Sequence, residues 1–225
     1  MDFEEFVLAA STADLRECGA ARRHADLLEY RLDLAAAGLD ALDSEYELPV
    51  LVTNRVEEEG GHAQAGPTRL DALSRAIEKP AVEAVDIELV TLRSGRGQHV
   101  VDRAREHGVT VVVSTHDFTG TPDRQQLRDL LDAASARGDV AKLAVTAEDV
   151  TDVLDLLSVT AEATRAGQTV ATMAMGEAGR HSRVVAPLYG SRIGYAPLDR
   201  ERATAPGQYD LETFRTLYES LREKT

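Results

Sequence analysis

Two residues in this chain have the type and setting for carbonyl chemistry, and they lie 26 positions apart: His116 and Lys142. Lys142 sits in Val140-Ala-Lys-Leu-Ala-Val145, an almost wholly apolar run. A lysine buried there loses solvation of its charged form, which pushes its pKa toward the range where free amine exists at neutral pH. Free amine attacks a carbonyl to give an imine. The plainer alternative is a strand-end lysine whose stem snorkels to solvent. Composition argues against it, because only three of the 25 basic residues are lysine (Lys79, Lys142 and Lys224). His116 follows another apolar run, Val111-Val-Val-Ser114. Imine chemistry needs a group that moves protons as the imine forms, as the substrate is deprotonated and as water leaves, and histidine near its ordinary pKa suits all three. His24, His62, His99, His107 and His181 read as surface or loop residues.

These two residues need a scaffold that brings successive strand ends together. Short apolar runs alternate with longer amphipathic ones. The runs predict strands over Phe6–Ala9, Leu27–Leu32, Val50–Thr53, Ala84–Leu89, Thr110–Ser114, Ala141–Val145, Thr169–Met173 and Ile193–Tyr195. Helical spacing appears between them, as in Val150, Val153, Leu154 and Leu157. Ser11 with Asp14 and Thr146 with Asp149 read as capping boxes, and Thr121-Pro122 puts proline at a first helical position. Eight strands alternating with helices give a parallel sheet. The rival to closure is a doubly wound open sheet, but the first strand leads into Ser-Thr-Ala-Asp without the glycine-rich fingerprint of that fold. The expectation is one α/β domain over residues 1–225, a single (β/α)8 TIM barrel, with the site where strands end and βα loops begin.

The totals bound the function. A net charge of −14 and a pI near 4.8 argue against a nucleic-acid partner. No run approaches the ~18 apolar residues of a membrane span, and no leader opens the chain, so the expectation is a soluble cytoplasmic protein without a membrane partner. The single cysteine, Cys18, excludes an intramolecular disulfide and reads as a small hydrophobe on an amphipathic helix. Acid excess with lysine avoidance points to a salt-adapted, halophilic protein. At molar salt the screening length falls to roughly 3 Å, so carboxylates repel one another little. A GC-rich genome favouring arginine codons is the alternative. Asp86 and Glu88 share a strand face, but without a His or Asp cluster at ligand spacing they read as internal hydrogen-bonders and not as a metal site.

Nine segments, spread from residue 29 to 208, carry a resemblance. They are Glu29-Tyr30-Arg31-Leu-Asp33, Arg55 with Glu59-Gly-Gly, Asp86-Ile-Glu88-Leu, Ser114-Thr-His116-Asp-Phe, Ala141-Lys142, Met173-Ala-Met-Gly, Ser182-Arg183, Tyr189-Gly-Ser191 and Ala205-Pro-Gly-Gln208. In this order they resemble the type I 3-dehydroquinate dehydratases, Schiff-base-forming lyases of the shikimate pathway of aromatic amino-acid biosynthesis. The resemblance implies that Lys142 forms the imine with the substrate ketone, that His116 is the general acid/base, and that Glu59 orients it. It implies that Arg183 clamps the substrate carboxylate with help from Gln208, and that Glu29, Tyr30, Arg31, Arg55 and Thr204 complete the substrate site. It also implies no metal or organic cofactor, a small-molecule substrate, 3-dehydroquinate, and a homodimer. Three departures stand out. Thr204 replaces the usual serine. The segment before the first strand is short, so a hairpin closing the barrel floor is not expected. The loop from Gly176 to Ser182 carries acid where many members have lysine. The alternatives are a Schiff-base aldolase for sugar phosphates, which would need a phosphate site in the last two βα loops, and a barrel retained as a non-catalytic binding protein.

Overall fold

The computed structural model describes residues 1–198 and 207–222. Eight parallel strands lie in the order β7-β6-β5-β4-β3-β2-β1-β8. They are β1 (Val7–Thr12), β2 (Leu27–Arg31), β3 (Val50–Thr53), β4 (Val82–Glu88), β5 (Thr110–His116), β6 (Val140–Thr146), β7 (Val170–Met175) and β8 (Ile193–Pro197). A bridge between Val170 and Ser191, with Arg192 N donating to the Val170 carbonyl at 2.7 Å, brings the two ends of the sheet together as a nearly closed barrel.

Helices wrap the outside: α1 (Cys18–Ala21), α2 (Pro67–Ile77), α3 (Leu89–Arg93), α4 (Gln98–His107), α5 (Arg124–Ser135), α6 (Val150–Arg165), α7 (Gly176–Gly179), α8 (Ser182–Val185) and α9 (Leu211–Arg222). No helix among the described residues is long and apolar enough to cross a membrane.

Strand alternation sorts side chains into two sets. The outward set (Leu28 and Tyr30, Val50 and Val52, Val85 and Ile87, Val111 and Val113) packs under the helices. The inward set begins apolar and ends polar on most strands. Leu27 is followed inward by Glu29 and Arg31, Leu51 by Thr53, Ala84 by Asp86 and Glu88, Val112 by Ser114 and His116, and Val140 by Lys142. One end of the barrel is thereby an aliphatic plug and the other a polar bowl. Phe3 is buried in the inner cluster with Leu27, Leu51 and Val140, so a single aromatic closes the floor where a hairpin was not expected.

β1, β5 and β6 run past their expected ends because Ser11, Thr12, Thr115, His116 and Thr146 are polar residues that hydrophobic patterning leaves out, whereas β2 and β4 each stop one residue before theirs. Three expected start signals shift with them. Ser11 lies in β1 and bonds to Glu29, while Asp14 caps the turn that follows, accepting from Arg16 N at 3.0 Å. Asp149 alone caps α6, accepting from Thr151 N at 2.7 Å. Asp123, and not Pro122, stands at the head of α5. On α6, Val153, Leu156 and Leu157 face the core, whereas Val150 and Leu154 project to solvent, contrary to the spacing argument.

Candidate active site

The polar bowl is a pocket at the mouth of the barrel that opens to solvent. Glu29, Arg31, Arg55, Glu59, His116, Lys142, Arg183 and Gln208 all line it. Lys142 and His116 reach it by the same parity: Lys142 pairs in register with Ser114, and His116 is two residues farther along that strand on the same face.

Lys142 is buried, as its apolar strand implied. Its neighbours from other strands were not visible locally. Nζ donates to Asp86 Oδ2 at 3.1 Å, lies 3.9 Å from Glu29 Oε1, and stands 3.9 Å above the centroid of the Tyr195 ring. The buried amine is thus surrounded by two carboxylates and a π face. Asp86 and Glu88 are internal hydrogen-bonders. Asp86 accepts from Ser114 Oγ at 2.6 Å and pairs with Arg55 at 2.7 Å, and Glu88 accepts from Arg55 at 3.0 Å and pairs with Arg69 at 2.9 Å. Although burial opposes it, the Arg55 and Lys142 charges hold the Asp86 carboxyl well below the usual range. No cluster of three His, Cys, Asp or Glu able to hold a metal ion occurs among the described residues.

Glu59 Oε2 takes two hydrogen bonds from one residue, at 2.9 Å to His116 Nδ1 and at 3.0 Å to the His116 backbone N–H. Two glycines set that carboxylate. Gly60 (φ +77°) ends the turn Glu57–Glu59 in the left-handed region, and a Cβ there would meet the Phe118 ring at 2.5 Å. At Gly61 a Cβ would fall 2.0 Å from the Arg55 carbonyl, so only glycine lets the loop fold back on the end of β3. The Phe118 ring in turn stacks on His116, with centroids 6.3 Å apart and planes 15° apart. Burial pushes Glu59 up to about 7, partly offset by Arg55. Burial, with Arg55 and Lys142 nearby, pushes His116 well below its ordinary value, so its imidazole is neutral at neutral pH. Glu57 and Glu58 are solvent-exposed.

Glu29 accepts from Ser11 and, at 3.0 Å, from Thr53 Oγ1. Arg31 pairs with Asp33 at 2.7 Å. Asp33 also accepts the Arg55 backbone N–H at 3.2 Å and thereby ties the mouths of β2 and β3. Arg183 is carried on α8, which is anchored to β7 by Ser182 Oγ accepting from Ala174 N at 2.8 Å. Burial lowers the Arg183 guanidinium to about 10, with Tyr209 acting in the opposite sense.

Tyr30 is the misplaced residue. It points outward between Glu29 and Arg31, its hydroxyl donating to the Gly38 carbonyl at 2.7 Å, and burial pushes it up to about 12. Strand alternation alone excludes it from the cavity. Thr204 lies outside the described residues. Thr53, Ala144 and Tyr195 line the cavity without having been singled out in the sequence, and Met173, Met175 and Phe118 belong to quoted segments but were given no role. For Tyr195 the signal was available, since it shares strand parity with the inward Ile193.

The model of the type I 3-dehydroquinase family matches residues 7–225. The 3-dehydroquinate dehydratase of Haloarcula marismortui is 55% identical over 96% of this chain and 96% of its own length. That of Haloquadratum walsbyi is 49% identical over 98% and 94%. The crystal structure of 3-dehydroquinate dehydratase from Geobacillus kaustophilus superposes with a TM-score of 0.86 at 31% identity, covering 97% of this chain and 92% of that one.

Proposed function

Since the chain belongs to the type I 3-dehydroquinase family, we propose that it is a hydro-lyase that removes water from 3-dehydroquinate to give 3-dehydroshikimate through an imine on Lys142. The observation that carries this reading is the convergence of Lys142 and the Glu59-held His116 on one pocket.

The amine of Lys142 adds to the substrate ketone, and loss of water gives the C=N bond. The protonated imine then draws electrons from the neighbouring carbon. His116, neutral at neutral pH because it is buried among cations, removes the proton from that carbon, and the electron pair moves into an enamine. The pair returns to expel the hydroxyl one carbon farther on, which departs as water with the proton carried by His116. Hydrolysis of the imine consumes the water released when it formed and restores Lys142, so the net change is the loss of one water.

Glu59 supports the base role geometrically. When ionised it accepts Nδ1–H, which leaves Nε2 as the atom able to take a proton. Arg183 is a buried cation in the cavity wall whose charge is disfavoured by burial, so a substrate carboxylate beside it is favoured, with Gln208 alongside. Glu29, Arg31 and Arg55 supply polar contacts for the ring hydroxyls, and Arg55 helps set the potential at the amine through Asp86. Thr204 completes the set by resemblance. The reading requires no metal or organic cofactor. It extends to a cytoplasmic, salt-adapted enzyme acting as a homodimer, for which light scattering in molar KCl is the check. The activity test is turnover of 3-dehydroquinate by the wild type and by Lys142→Ala in molar KCl. The variant should be inactive while folded, and near-normal turnover by it would end the imine reading.

A further inference from the structure

Tyr195 has an unusual combination of burial, neighbours and idle polarity. It comes from β8, in register with Ala9 of β1. Its ring lies between the aliphatic plug and the polar bowl, grouped with Ile193 and Leu27 on one side and lining the cavity on the other. Its face is turned to the amine of Lys142 at 3.9 Å. Its hydroxyl is buried, with no hydrogen-bond partner among the described residues. The contact that the structure records between Tyr195 and Lys142 is made by the ring.

We propose that Tyr195 is a positioning residue for Lys142, its ring face serving as the π platform that holds the amine toward the cavity and stabilises the positive charge of the protonated imine. The proposal rests on the imine reading above. Three groups approach Nζ: Asp86 from β4, Glu29 from β2 and the Tyr195 ring from β8. Both carboxylates can draw the ammonium toward themselves as a full ion pair, which favours the resting amine as much as the iminium. The ring quadrupole attracts a cation without accepting a proton. It can therefore keep its hold on a charged nitrogen that has condensed with the substrate ketone, where the carboxylates have fewer N–H donors left to accept. Cation–π attraction at a desolvated site predicts an effect of about 2- to 30-fold on the rate through the iminium.

The test is a series at position 195 in the full chain in molar KCl, read by kcat, KM, melting temperature and borohydride trapping on Lys142. Tyr195→Phe keeps the ring and removes the hydroxyl, so it should keep kcat within about 3-fold. Tyr195→Leu should lower kcat and the trapping rate by about 10-fold with KM little changed. Phenylalanines bearing one, two and three ring fluorines preserve size while draining the π face, and log kcat should fall stepwise along that series. A flat fluorine series, or full kcat in Tyr195→Leu, would overturn the platform. So would a large loss in Tyr195→Phe, which would move the role to the hydroxyl. Absence of any trapped adduct on wild-type Lys142 would instead strike the imine reading itself, so the two failures are distinguishable.

Discussion

Replacing Glu59 by glutamine should change both the height and the shape of the pH–rate profile. In the wild type, burial raises the Glu59 carboxyl to about 7 and keeps His116 neutral. The sign follows from what each form does. Ionised Glu59 accepts Nδ1–H and frees Nε2 to act as base. Protonated Glu59 donates to Nδ1 and moves the ring proton to Nε2, which removes the base. Activity should therefore be full above this transition and fall as pH drops through it, and at pH 6 kcat should be about one tenth of its plateau. Glutamine preserves the 2.9 Å contact through its carbonyl but cannot titrate. It also removes the charge that stabilises the imidazolium formed on proton abstraction. A charge-assisted hydrogen bond of this kind contributes about 1.5–3 kcal/mol, so plateau kcat should fall roughly 10- to 150-fold. The assay is initial rate from pH 5.5 to 9 in molar KCl, followed by the ultraviolet absorbance of the conjugated product. If Glu59→Gln kept a limb near pH 7, the assignment of that limb to Glu59 would be refuted. An unchanged plateau would refute its role in holding the base.

Arg183→Ala should raise KM by about 10- to 150-fold, the loss of a charge-assisted contact, with a smaller effect on kcat. An unchanged KM would remove it from the carboxylate site. Asp86→Asn leaves Arg55 and Lys142 short of a buried counter-charge, a change that costs about 3–5 kcal/mol. For a chain of this length it should lower Tm by roughly 6–20 °C by calorimetry, and a shift under about 2 °C would mean that the network does not hold the site. With a net charge of −14, Tm should rise from dilute buffer to molar KCl as the screening length shrinks from about 10 to about 3 Å. A constant Tm would count against salt adaptation.

Barrel and mouth were legible because the strands carry their own address. Most inward sets run from aliphatic to polar, as in Val112, Ser114 and His116, so apolar runs mark the strand and their polar ends mark the site. Strand ends were read short for the same reason, because Thr115, His116 and Thr146 carry no hydrophobic signal although their backbones stay in the ladder. What stayed hidden depends on partners brought from across the barrel. Nothing near Lys142 in sequence announces Asp86 from β4 or Tyr195 from β8, and nothing near Arg31 distinguishes Glu29 from Asp33 as its partner. Tyr30 was placed in the site by its neighbours in the motif, where the period of two already assigned it to the outer core. The caps differed because Ser11, which looks like an N-cap, lies beside Glu29 and is taken up there by the sheet.

The central claim is that the amine of Lys142 becomes covalently bound to the substrate. Incubation with 3-dehydroquinate and borohydride in molar KCl, followed by peptide mass mapping, tests it directly. Reduction should leave a stable substrate adduct on the peptide carrying Lys142, with loss of activity in step with adduct formation. Folded protein that turns the substrate over yet yields no adduct, or an adduct on another residue, would contradict the account.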